Sequence, residues 1–204
     1  SDGKIKRLQI LMPPNSMKSR LGSILFPSWI IGKHPYWQFL QVSHSASLAA
    51  GFGRDVRDLL SEPLYRKIFP GVNVREDVSA ADRWYTTKGG QYHAAGAGKN
   101  IAGIRGNIIV LDDVISEQTA MSEIERTKII EWYPQGLRSR LQPNSAIVIV
   151  NTKWHVNDLS GYLLEQARKS PLAEQWDVLS IPAILDEKCA RILNLPVGES
   201  YWPE

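Results

Sequence analysis

The run NIIVLDDV, residues 107–114, is apolar at four consecutive positions, 108–111, which are followed by two adjacent aspartates. A strand with apolar side chains on both faces has to lie inside a sheet that is covered on both sides. That requirement points to an α/β chain with a largely parallel sheet and helices packed on each face. Ligands of open α/β sheets bind beyond the carboxyl ends of such strands, where Asp112 and Asp113 stand.

The rest of the chain reads as alternating strands and helices. A first strand is expected at 7–12. A helix should run from Lys18 toward Ile31, with Pro27 kinking or splitting it. A second strand, FLQVSH, occupies 39–44. The following segment places Leu48, Phe52, Val56, Leu59 and Leu60 on one helical face. The stretch DRWYTTKGGQYHAA reads as a hairpin turning at Lys88-Gly89-Gly90. A glycine-rich loop (Gly96, Gly98, Gly103, Gly106) then leads into the aspartate strand. A helix near 123–132, a strand SAIVIV at 145–150, a helix capped by Asn157 and a last strand WDVLSI follow. The Pro- and Gly-rich tail from 191 to 204 reads as the start of a linker, so residues 1–190 are expected to form the domain.

The 204 residues suffice for one sizeable core. There is one cysteine, Cys189, so no internal disulfide can form and a reducing compartment is the default. No run of about 18 apolar residues occurs, and the N-terminus lacks the apolar core of a signal peptide. Charge is uneven. Residues 1–110 carry 15 Lys/Arg against 7 Asp/Glu, a net of +8, and residues 111–204 carry 9 against 14, a net of −5. A basic half suits a polyanion partner; the alternative is a solvated surface with uneven charge.

The first strand runs into MPPNSMKSR, residues 12–20, and then into a helix. Strand, polar knot, Lys-Ser and helix is the layout of a phosphate-binding loop. Backbone N–H groups at a helix N-terminus face the anion, the lysine adds charge at the β- and γ-phosphates, and the hydroxyl after it binds Mg²⁺. The run Pro14, Asn15, Ser16, Met17, Lys18, Ser19 and Arg20 is the candidate phosphate-binding segment. Both glycines of the G-x-x-x-x-G-K-[ST] pattern are absent, with Met12 and Met17 in their places. Asn15 tolerates the left-handed region that such a curl needs. The alternative is an exposed turn with an incidental Lys-Ser.

About ninety residues later, Asp112 would hold Mg²⁺ and Asp113 would orient an attacking water; a solvated acidic turn is the other reading. A neighbouring strand ends in Asn151 and Thr152, which can sense the γ-phosphate or cap the next helix. Arg105, in a glycine-flanked loop, can supply transition-state charge in cis or in trans, an effect of about 10³–10⁵ in rate; a solvated loop arginine is the other reading. AAGAGKN (94–100) resembles a phosphate loop but lacks the Ser/Thr after lysine and a following helix pattern. His34, His44, His93 and His155 are scattered, with no zinc-site spacing, and no G-x-S-x-G elbow exists.

In this order the pieces resemble the ATPase domain of the large terminase subunit of tailed bacteriophages, the motor that packs DNA into a prohead. The resemblance covers most of the chain. ILMPPNSMKSRLGSILFPSWIIGKHP is similar to that family's degenerate Walker A loop and helix, with Met17 departing from the usual Gly or Ala. SHSASLAAGFGRDVRDLL is similar to the Ser-rich turn and helix after it. RWYTTKGGQYHAAGAGKNIAGIRGNIIVLDDV resembles its hairpin, glycine loop and Walker B strand. VNTKWHVNDLSGYLLE resembles its coupling motif, with Lys153 replacing arginine.

The resemblance implies a P-loop NTPase fold of the RecA-like kind and an ATPase with ATP and Mg²⁺ as cofactors. Lys18 and Ser19 would bind phosphate and metal, Asp112 the metal, and Asp113 the water, with Glu117 as the alternative water-orienting residue. Arg105 would be a finger reaching a neighbouring subunit, and Asn151 and Thr152 would couple hydrolysis to movement. It further implies double-stranded DNA, a portal protein and a small terminase subunit as partners. A homo-oligomeric ring when assembled, a monomer in isolation and a place in the host cytoplasm outside any membrane are implied too. The family's nuclease domain, and the adenine-contacting segment normally upstream of the first strand, fall outside this sequence, so no nuclease activity is expected of it. Three other readings stand beside it: a helicase-like P-loop ATPase, a non-catalytic or very weak nucleotide-binding assembly module with a degenerate loop, and a metal nuclease built on Asp112 and Asp113.

Overall fold

The structure, a computed structural model, describes residues 5–99, 101 and 103–200. Strand β1 (Arg7–Leu11) leads through the loop into a π-helical turn at Arg20–Leu25 and helix α1 (Phe26–Lys33). Then come β2 (Gln38–Ser43), α2 (Ala46–Ser61), α3 (Pro63–Ile68), β3 (Val74–Ser79), β4 (Arg83–Thr86), β5 (Gln91–Gly96) and β6 (Gly106–Asp112). The second half adds α4 (Glu117–Ala120), α5 (Glu123–Trp132), β7 (Leu141–Asn151), α6 (Leu159–Lys169), β8 (Asp177–Ser180) and α7 (Glu187–Leu193).

Eight strands form one sheet in the order β3-β4-β5-β2-β6-β7-β1-β8. The β3-β4 and β4-β5 pairs are antiparallel and the other five are parallel. The aspartate strand β6 lies in the interior, as its two apolar faces require. Ile108 and Val110 point into a core with Ile30, Phe39, Val56 and Leu60, under α1 and α2. Ile109 and Leu111 point into a second core with Tyr133, Leu137, Leu159 and Leu163, under α5 and α6. In the hairpin β4-β5, Trp84 and Tyr92 stack with ring centroids 4.8 Å apart, and Phe39 stacks on Tyr92 at 5.4 Å.

Register carries the fold's functional consequence. Leu11 pairs with Asn151 and with Ser180, and Asp112 pairs with Val150 and with Ser43. The carboxyl ends of β1, β2, β6, β7 and β8 therefore share one edge of the sheet.

The helix after the loop does start at Lys18 and runs unbroken to Lys33, but it is π-wound over Arg20–Leu25, with Phe26 N donating to Leu21 O, directly before Pro27. Gly22 lets that turn lie against β7, since a Cβ there would meet Val150 Cγ2 at 2.5 Å. Three expectations are corrected. On α2 the buried face is Ala49, Gly53, Val56 and Leu60, while Leu48 is exposed. Helix α6 is capped by Asp158, whose carboxylate accepts from Gly161 N at 2.9 Å, and not by Asn157. Helix α7 crosses position 191 and was not anticipated. Asp186 caps it, accepting from Cys189 N at 2.7 Å, and Cys189 and Ala190 pack with Met12, Ile181 and Leu185.

Candidate nucleotide site at the carboxyl edge of the sheet

The loop between β1 and the π turn curls without glycine. Asn15 and Met17 both take positive φ, 56° and 60°. Left-handed residues within such a loop allow consecutive N–H groups to line a concavity for an anion. Leu21 N donates to Met17 O at 3.0 Å, so the helical turn begins directly after the curl. The methionine thus keeps the backbone geometry that a glycine would supply, at a steric cost of about 1–2 kcal/mol. Met17→Gly is expected to stabilise the fold by about 0.5–1 kcal/mol once glycine's greater freedom in the unfolded chain is deducted. Met17→Val should destabilise it by about 1–3 kcal/mol. Urea unfolding midpoints at unchanged m values measure both.

Lys18 is 7% exposed, and its ammonium lies 3.3 Å from Asp113 Oδ2. Ser19 Oγ donates to Asp112 Oδ1 at 3.0 Å. One helical turn on, Ser23 Oγ donates to Asp112 Oδ2 at 2.5 Å, and Gln41 Nε2 donates to Ser23 Oγ at 3.0 Å. Both oxygens of Asp112 are therefore held, and the carboxylate is 1% exposed. Burial pushes the Asp112 carboxyl up to about 6, with the Ser23 hydroxyl opposing and the neighbouring Asp113 charge adding to the rise.

Asp113 also has positive φ, 41°. Its carboxylate bridges two elements, with Oδ2 toward Lys18 and Oδ1 accepting from Thr152 N at 2.7 Å. Four candidates from distant parts of the chain, Lys18, Ser19, Asp112 and Asp113, thus form one connected group. Thr152 joins them through its backbone. Its hydroxyl is buried and, among the described residues, finds no hydrogen-bond partner.

The other candidates lie elsewhere. Pro14 and Asn15 are exposed on the loop, Ser16 is buried beneath it, and Arg20 is exposed at the start of the π turn. Asn151 turns away from Lys18: its Nδ2 donates to Asp158 Oδ2 and to Ser160 Oγ, both at 3.1 Å, at the start of α6. Glu117 is exposed at the first position of α4, and no hydrogen bond or ion pair among the described residues ties it to the loop. Arg105 is exposed just before β6, and Asp112 is the last of that strand's seven residues. Seven steps at a strand rise of about 3.3 Å per residue are roughly 23 Å, farther than an arginine side chain reaches.

Ser23 and Gln41 were missed in the sequence. Their signals were present: Ser23 is four residues after Ser19 on the same helical face, and Gln41 interrupts the apolar residues Phe39, Leu40 and Val42.

The donor set fits Mg²⁺. A serine hydroxyl and a carboxylate are hard oxygen ligands, and Mg²⁺ is commonly bound by one or two such groups together with water and phosphate oxygens. Among the described residues no group of three or more His, Cys, Asp or Glu could hold a metal without such help. No helix among them is long and apolar enough to cross a membrane.

No family model matches the sequence, and no curated protein sequence matches it. The fold does match solved structures. One is an arginine-to-alanine mutant of the large terminase ATPase domain of Thermus phage P74-26, with a TM-score of 0.61, 14% identity, and coverage of 89% of this chain and 77% of that one. Another structure of that phage's ATPase domain gives a TM-score of 0.60 at 14% identity, covering 88% and 76%. With its eight-stranded, mainly parallel sheet, this chain has the fold of a large terminase ATPase domain, a P-loop fold.

Proposed function

We propose that this chain is an ATPase motor domain that couples ATP hydrolysis to the movement of double-stranded DNA into a prohead. The observation that carries this reading is the convergence of Lys18, Ser19, Asp112 and Asp113 at the carboxyl edge of a sheet with the terminase ATPase fold. In this reading the loop N–H groups and Lys18 hold the triphosphate. Ser19 and Asp112 hold Mg²⁺, which when bound would neutralise charge on the phosphate oxygens. Ser23 and Gln41 position Asp112. Asp113 exchanges its contact with Lys18 for the attacking water when phosphates take the lysine, and its hold on Thr152 N links the site to the end of β7. Asn151 acts one step further along the same strand, through the cap of α6. DNA, portal protein, small terminase subunit and a ring of copies are the partners this reading implies.

Arg105 then serves the site of a neighbouring copy. Turnover per subunit should rise with protein concentration. Arg105→Ala should remove that rise, about 10³–10⁵-fold at saturation, and leave the rate at high dilution unchanged. Turnover per subunit that is flat across dilution, in both proteins, sinks the trans assignment. The rival reading, a nucleotide-binding module without turnover, has the Lys18–Asp113 contact in its favour, because that contact occupies both catalytic candidates with each other. ATP binding with no Mg²⁺-dependent hydrolysis at any concentration would select it.

A further inference from the structure

Asp113 is held in a backbone conformation that an aspartate rarely takes. Its φ of 41° lies on the left-handed side. Such a residue persists only where its surroundings over-determine it. Here the surroundings fix every polar group that Asp113 has. Its N–H donates to Val150 O at 2.9 Å, on the β7 side. Its carboxylate accepts from Thr152 N at 2.7 Å and faces Lys18 at 3.3 Å. Its carbonyl oxygen accepts two hydrogen bonds from the β2 side, and both donors belong to His44: the backbone N at 3.1 Å and the ring Nδ1 at 3.2 Å.

Register brings His44 to this place. Ser43 ends β2 opposite Asp112, so the next rung of the ladder joins His44 to Asp113. A carbonyl oxygen can only accept, so Nδ1 carries the hydrogen, and Nε2 of the neutral ring is bare. The ring does not fill the core, because His44 is exposed. It does not cap α2 either: Ser45 does, its Oγ accepting from Leu48 N at 3.2 Å. What is left to the ring is its bond to Asp113.

We propose that His44 is a positioning residue for Asp113. Any residue but proline at 44 could supply the backbone donor; the second donor is what histidine adds. Val150 pins the peptide before Asp113, and the two His44 donors pin the peptide after it. Two fixed peptides fix φ and ψ, and with them the direction in which the side chain leaves the backbone. That direction sets the carboxylate between Lys18 and Thr152 N. Without the ring bond, the peptide after Asp113 can turn, and the carboxylate leaves the line on which it would orient a water. The role needs a donor at the Nδ1 position and no charge. Asparagine provides one, since its amide nitrogen, like Nδ1, is bonded to Cγ. Phenylalanine keeps a ring and has no donor. The proposal rests on the ATPase reading above and adds a residue to its site.

The test compares Mg·ATP turnover by the wild type, His44→Phe and His44→Asn, at a protein concentration where wild-type turnover per subunit has levelled off. Urea unfolding confirms that each protein is folded. Misplacing a catalytic group by about 1 Å costs up to about a hundredfold in rate, so His44→Phe should lower kcat by about ten- to a hundredfold. Its KM should stay within about twofold of wild type, because the loop and Lys18 hold the phosphates. His44→Asn should keep kcat within about threefold of wild type. Wild-type kcat in His44→Phe, a His44→Asn as slow as His44→Phe, or a raised KM at unchanged kcat each overturns the positioning role and leaves the phosphate loop standing. Absence of turnover in the wild type overturns the ATPase reading, and this role with it.

Discussion

On the proposed reading, Lys18→Ala is expected to lower kcat/KM for Mg²⁺-dependent ATP turnover by at least about a hundredfold, the scale of removing one preorganised charge from a developing anion. The magnitude follows from where the ammonium sits. Lys18 is 7% exposed at the first turn after the loop, 3.3 Å from Asp113 and beside the Ser19–Asp112 pair. No other cation of the described loop is buried, since Arg20 faces solvent. The substitution also leaves Asp113 held only through Thr152 N and the backbone. Stability should change modestly, by about 1 kcal/mol or less, because the Asp113 side chain is 24% exposed and water reaches it. A loss of turnover with retained unfolding cooperativity is the expected pattern. Turnover within threefold of wild type in Lys18→Ala would contradict the phosphate role.

Asp112→Asn is expected to stabilise the protein and stop it working. A carboxyl whose folded-state value is about 6, against 3.8 for an aspartate free in water, binds its proton more tightly in the folded chain than in the unfolded one. Stability is then full below about pH 4, falls as pH rises from about 4 to 6, and is flat above. The total loss is about 3 kcal/mol at neutral pH in the absence of metal. Asparagine has the same shape and no charge to desolvate. Its carbonyl can accept from one of the two serines, and its amide can donate to the other's hydroxyl. Above pH 6 the variant should unfold at higher urea than wild type, and at pH 4 the difference should vanish. Mg²⁺ should stabilise the wild type and not the variant, and ATP turnover should be lost. A variant less stable than wild type at pH 7 would show that the serine bonds outweigh the burial of the charge. Such an opposition of stability and activity is common where a site holds a charge in a dry place.

How much of this was legible follows from the physics of each element. The interior strand β6 and its terminal carboxylates were readable because a run apolar on both faces has few places to go. Its register with β7 and β1 was not written locally. Only the assembled sheet brings Leu11, Asp112 and Asn151 to one edge. The loop was readable as Lys-Ser before a helix, yet its missing glycines looked like damage. The positive φ of Asn15 and Met17 shows the backbone shape kept and the residue type changed. The cap of α6 was off by one because Asn157 and Asp158 are both good caps, and only chain geometry chooses between neighbours. Helix α7 was hidden by its seven-residue length, too short for a periodic pattern to stand out in a Pro- and Gly-rich tail. Ser23 and Gln41 act through Asp112, and a residue that acts through another carries no motif of its own.

The central claim is that MPPNSMKSR is a working phosphate loop. Calorimetric titration of Mg·ATP into the wild-type chain and into Lys18→Ala tests it most directly. The account predicts one site per chain in the wild type, an affinity that depends on Mg²⁺, and at least a tenfold loss in the variant. Absence of binding in the wild type, or equal binding by both proteins, would contradict it and withdraw the roles assigned to Ser19, Asp112 and Asp113.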